Sequence, residues 1–158
     1  MKRLSTIVFG LLALTLTACS LGGNNTSACV QQYWDGTVGM CLPETWEVIS
    51  QETLTQRGMP EEVIAAFQAK DELSGQTPTI TLTKETLTTE ITPVEYSQAS
   101  IRSVAALPNF TQVDRRKYKW ETQDLEIHIF TAQPLPDEPE RKFYQLSLTS
   151  NSIGYTIT

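Results

Sequence analysis

Few side chains in this 158-residue chain are suited to chemistry, and each points to a different kind. His128 is the single histidine; with Asp124 or Glu126 to orient it, it is the one acid-base group with an ordinary pKa near 7. Such a base would make the chain a small hydrolase or lyase. No G-x-S-x-G elbow, partner thiolate or second histidine accompanies it, which favours a structural or surface histidine. Arg115, Lys117 and Lys119 alternate with Arg116, Tyr118 and Trp120. On a strand, that puts a basic row on one face and aromatics on the other, either a ligand surface or a solvated face. Asp137, Glu138 and Glu140 could meet a cation but lack calcium-loop spacing, so no metal and no cofactor is expected.

The cysteines are three, Cys19, Cys29 and Cys41, so pairing two leaves one needing another fate. Cys29 and Cys41 lie symmetrically about Asp35, within a stretch Tyr33-Trp34-Asp35-Gly36-Thr37-Val38 whose Asp-Gly favours a hairpin turn. A three-residue loop, Trp34 to Gly36, would set the two cysteines face to face across the ladder. A disulfide is expected there, worth about 3 kcal/mol by the loop-entropy account. A metal site or redox dithiol is the alternative, but the spacing is not C-x-x-C.

Stepping N-terminal, Lys2 and Arg3 precede an apolar run from Leu4 to Leu16 broken by Ser5, Thr6, Gly10 and Thr15. This is a secretory signal layout, and the run is shorter than the roughly 20 residues a permanent bilayer helix requires. Leu16-Thr17-Ala18-Cys19, which ends it, resembles the lipobox of bacterial lipoprotein signals. That resemblance implies a diacylglycerylated, palmitate-type thioether on Cys19, cleavage before it, and usually an acylated amine. Two acyl chains, at about 0.8 kcal/mol per buried methylene, hold a protein stably to a membrane. An ordinary signal peptide with an incidental cysteine is the plainer alternative. The division expected is 1–18 signal peptide, 19–28 acylated cysteine and flexible tether (Ser20 to Ala28 reads SLGGNNTSA), and 29–158 one domain. The place implied is the extracytoplasmic side of a bacterial envelope membrane, inner or outer.

Cleavage removes Lys2 and Arg3 and leaves 10 basic against 18 acidic residues, a net charge of −8. Nucleic-acid binding asks for a basic stripe that releases phosphate counterions, so that class of partner is excluded. The expected partners are the membrane, through Cys19, and an envelope protein.

The elements that must position these residues follow from pattern. Trp46-Glu47-Val48-Ile49 reads as a strand, Ser50 to Arg57 as a short helix capped by Ser50 and closed by Gly58, and Thr79 to Thr83 as a strand. Pro60 to Asp71 stays open between helix and strand. Residues 91–107 carry the strongest helix signal: Thr92 N-cap, Pro93 at N1, Glu95 completing a capping box. Val94, Ile101, Val104 and Ala105 should be its sheet-facing side. Strands are expected over Gln112 to Trp120, Leu125 to Thr131, Phe143 to Thr149 and Tyr155 to Thr158.

Leu42-Pro43-Glu44-Thr45-Trp46, Glu95-Tyr96, Phe143-Tyr144-Gln145 and Gly154-Tyr155-Thr156-Ile157-Thr158 together resemble the PsbP-like lipoproteins and the related DcrB proteins, over about residues 38 to 158. The resemblance implies an α+β fold, an antiparallel β-sheet packed by helices in an α/β/α sandwich, and favours a strand over 61–70. It also implies an accessory or assembly role without catalysis. Members of that family continue into a further helix covering the sheet, whereas this chain stops at Thr158, so a truncated product or an open sheet face is expected. The readings carried forward are a non-enzymatic binding or assembly module, a hydrolase or lyase using His128, and a purely structural envelope lipoprotein.

Overall fold

A computed structural model describes residues 31–120 and 122–158. The expected signal peptide, Cys19, the tether and Cys29 lie outside the described residues. The element order is β1 (Gln31–Trp34), β2 (Gly39–Leu42), β3 (Trp46–Ile49), α1 (Gln51–Gln56), β4 (Val63–Ala69), β5 (Thr79–Thr86), α2 (Pro93–Val104), β6 (Thr111–Trp120), β7 (Gln123–Ala132), β8 (Arg141–Ser150) and β9 (Ile153–Ile157). The fold is mixed α+β, dominated by antiparallel sheet.

Seven strands form one sheet in the order β3-β4-β5-β9-β8-β7-β6, and β1 with β2 forms a separate hairpin. The last strand is the central one. β9 pairs with β5 on one side and β8 on the other, so it joins an N-terminal half-sheet to a C-terminal one. Asn151 and Ser152, both at positive φ, make the tight two-residue turn that returns the chain from β8 into β9.

Local chemistry builds the helices as expected. Ser50 caps α1 by accepting from the Thr53 amide, and Gly58 follows at φ +68°. Thr92 and Glu95 form the capping box of α2, with Pro93 in the first turn. Residues 63–69 are a strand because tertiary burial outweighs the helix-start composition of Pro60-Glu61-Glu62. Ala65 and Phe67 pack in the cluster beneath the hairpin, while Val63 and Ala66 pack against Leu54 of α1. A segment covered on both sides reads as a nearly continuous apolar run, which sequence periodicity cannot resolve.

Leu54 of α1 and the Tyr96 side of α2 occupy one face of the sheet. The hairpin covers the other, with Leu42 joining Phe67, Leu82, Leu148 and Tyr155 and with Tyr33 edge-on to Phe67 at 5.5 Å. Among the described residues, then, the layers are helices, sheet and hairpin, where an α/β/α sandwich was expected.

Two further expectations are corrected. The hairpin loop has four residues, 35–38, closed by the Asp35 amide donating to the Val38 carbonyl and by the Asp35 carboxylate accepting from the amides of Thr37 and Val38. Its register pairs Cys41 with Gln32, and Cys29 lies outside the described residues. In α2 the buried side chains are Tyr96 and Ser97, while Val94, Ile101 and Val104 are only half-buried and Ala105 is exposed. The reason is the surface beneath. Tyr96 lies flat on Gly154, where a Cβ would fall 2.6 Å from its Cε2, and the neighbouring sheet residues Gln145, Ser147 and Thr156 are polar.

Candidate binding surface and the buried histidine

β6 is the terminal strand of the sheet, and all ten of its residues are exposed. Its alternation is as the sequence indicated. Arg115, Lys117 and Lys119 stand opposite His128, Glu126 and Asp124 of β7, whereas Arg116, Tyr118 and Trp120 stand opposite Ile127, Leu125 and Gln123 on the other face. The basic row is thus partly neutralised by its own neighbour, with Arg115 3.9 Å from Glu126. Arg116 pairs instead with Asp114 at 3.0 Å, and hydrogen bonds from Arg116 and the Arg115 amide hold the Asp114 carboxyl below its usual range. Lys117 and Lys119 make no ion pair within 4.0 Å among the described residues. Tyr118 and Trp120 are more than half exposed, as is Tyr144 on the same face of β8.

His128 is brought together with Glu126, but beneath α2 and not at the surface. Its Nε2 lies 3.1 Å from Ser97 Oγ and 3.8 Å from Glu126 Oε2, and its Nδ1 is buried without a partner. Burial lowers the imidazole pKa; Glu126 opposes this and Arg115 adds to it, so the ring is held neutral. A relay of serine, histidine and carboxylate needs the acid on the nitrogen remote from the serine. Here both address Nε2. With Gln145 donating to Ser100 Oγ at 2.7 Å, the arrangement ties α2 to the sheet. Asp124, the other proposed orienter, stands opposite Lys119.

Glu138 pairs with Arg141 at 2.6 Å, and no group of three metal-ligating side chains occurs among the described residues. No helix among them is long and apolar enough to cross a membrane.

Sequence reasoning overlooked two features. Asp35 and Lys84 form a 3.1 Å ion pair that fixes the hairpin tip to β5, with the Lys84 ammonium 5.6 Å over the Tyr155 ring. Burial pushes the Asp35 carboxyl up, but hydrogen bonds from the Val38 and Thr37 amides and from Lys84 outweigh it, leaving the pKa below the ordinary carboxylate value. The Asp-Gly turn signal pointed at Asp35 without revealing its distant partner. The second feature is a cleft of about 480 Å³ where the hairpin meets the end of β6, bordered by Trp34 and Trp120. No model of a known protein family matches the chain, and no curated protein matches it in sequence.

Proposed function

We propose that this chain is a lipid-anchored, extracytoplasmic binding or assembly module without catalytic activity of its own, and that β6 is the strand it offers to an envelope protein. In this reading Cys19 carries the acyl chains and Cys29 bonds to Cys41 to brace the hairpin. The domain is PsbP-like. What supports that kinship is that its resembling stretches interlock: Tyr96 rests on Gly154, Gln145 bonds to α2 through Ser100, and the Trp46 amide closes a turn onto the Pro43 carbonyl.

The carrying observation is the edge itself, a ten-residue strand exposed throughout and holding four of the ten cations downstream of residue 18. Such an edge offers unpaired backbone groups to an added strand. The occupant its charge fits is an acidic extended segment. A second copy fits poorly, because antiparallel pairing about Lys117 would set Arg115 against Lys119 and place like charges opposite one another. His128 supports the absence of catalysis by its placement, locked to Ser97 and outside the lining of the cleft.

The test is a photo-cross-linking residue in place of Tyr118 in the full chain in cells, with Val48 on the opposite edge strand as control. A cross-link to an envelope protein specific to position 118, and lost when Lys117→Glu and Lys119→Glu are combined, is expected. Equal products from both edges, or none together with unaltered envelope assembly on deletion, would defeat the proposal. Mass spectrometry finding Cys19 unmodified on protein free in solution would defeat the anchor.

A further inference from the structure

Among the described residues, the lining of the cleft between the hairpin and the β6 end contains no Asp, Glu, Lys or Arg, although these make up nineteen per cent of the chain. Its polar groups are amides and hydroxyls, from Gln32, Gln123, Thr149 and Ser150, and its two large walls are the indoles of Trp34 and Trp120. Those indoles are 60% and 52% exposed, which leaves two of the largest apolar side chains available at the rim of one cleft. The volume lies within the range of small-ligand sites.

We propose that this cleft binds a neutral saccharide. A sugar ring presents an apolar C–H face, which suits the electron-rich face of an indole, and a rim of hydroxyls that both donate and accept, which suits amides and hydroxyls. A nucleotide would also stack, but its phosphates would find no cation in this lining. The Trp34 wall is set before binding. The Trp34 ring lies over Gly39, its register partner, where a Cβ would fall 2.6 Å from Trp34 Cε3. The loop following Trp34 is held to the sheet by Asp35 and Lys84. Preorganised walls reduce the entropy lost on binding. The site shares Trp120 with the edge strand but is completed by Trp34 of the hairpin, so Trp34→Ala tests it without touching the strand-edge reading.

The test uses the full chain in detergent with chitotriose (triacetylated), cellotetraose and maltotetraose as probes, followed by tryptophan fluorescence and calorimetry. Binding of at least one probe is expected, with affinity falling about tenfold or more for Trp34→Ala and for Trp120→Ala. Tyr144→Ala, an exposed aromatic outside the lining, should leave it unchanged, and Gly39→Ala should weaken binding by displacing the Trp34 ring while the fold, read by circular dichroism, is kept. The proposal is overturned if none of the three binds at about 10 mM, roughly ten times a 1 mM dissociation constant. Undiminished binding by both tryptophan variants, or preference for an anionic oligosaccharide over its neutral counterpart, overturns it as well.

Discussion

The two faces of the sheet are built on opposite principles. Beneath the hairpin the contact is apolar, with Leu42, Phe67, Leu82 and Tyr155 almost wholly buried and one ion pair, Asp35 to Lys84, at the margin. Beneath α2 the buried layer includes Ser97, Glu126, His128, Gln145, Ser147 and Thr156, joined by Ser147 to Thr156 at 3.0 Å and by His128 to Ser97. The apolar face carries most of the stabilisation, since area removed from water is the dominant favourable contribution to folding. The polar face contributes less and instead selects one position for the helix, because a shifted α2 would strand several buried polar groups.

The largest effect should come from the apolar face. Phe67→Ala removes a fully buried ring and its edge contact with Tyr33, and should cost about 3 to 5 kcal/mol in urea unfolding. If the substitution costs less than any polar replacement under α2, the comparison is wrong. Next is Gly154→Ala, whose methyl would occupy the space of the Tyr96 ring. It should cost about 1 to 3 kcal/mol through overpacking, and pairing it with Tyr96→Ala should recover part of that loss.

Acid should separate the two faces. Burial lowers the folded pKa of His128 below 6.5, so as pH falls from there the unfolded chain takes up the proton first. The helix face is therefore fully stable above that value and weakens below it, until the folded imidazole also protonates. For Asp35, hydrogen bonds leave the folded pKa below 3.8, so its contribution is present above 3.8 and is lost as pH falls through the folded value. Unfolding curves across pH should show two separate declines. His128→Gln should remove the upper one and Asp35→Asn should reduce the lower, to which Asp114 and Glu95 also contribute, and an unchanged decline in either variant would contradict the assignment. The smallest effect belongs to the edge. Lys117→Glu should change stability by no more than about 0.5 kcal/mol, being exposed and unpaired, while sedimentation should show more self-association as the like-charge barrier weakens.

Much of this was legible where neighbouring residues decide the outcome. The cap of α2 at Thr92 and Glu95 needs only residues three apart, and the facing of β6 needs only its two-residue alternation. The face on which α2 docks was not legible. Its apolar positions suggested Val94 to Ala105, but the sheet beneath offers Gly154 and polar side chains, to which Tyr96, Ser97 and Ser100 are the matching partners. The edge strand β6 was half legible: its charges and aromatics were visible in sequence, its place at the end of the sheet was not.

By itself, then, the sequence determined the local elements, the acidic balance and the alternation that sorts Arg115, Lys117 and Lys119 from Tyr118 and Trp120, because each depends on spacing over a few residues. Only the tertiary structure decided that the last strand, β9, fills the middle of the sheet, that His128 lies under a helix, and that Trp34 and Trp120 border one cleft. Those outcomes depend on pairings between residues far apart in the chain, whose energies come from burial and register and leave no periodic trace in the order of amino acids.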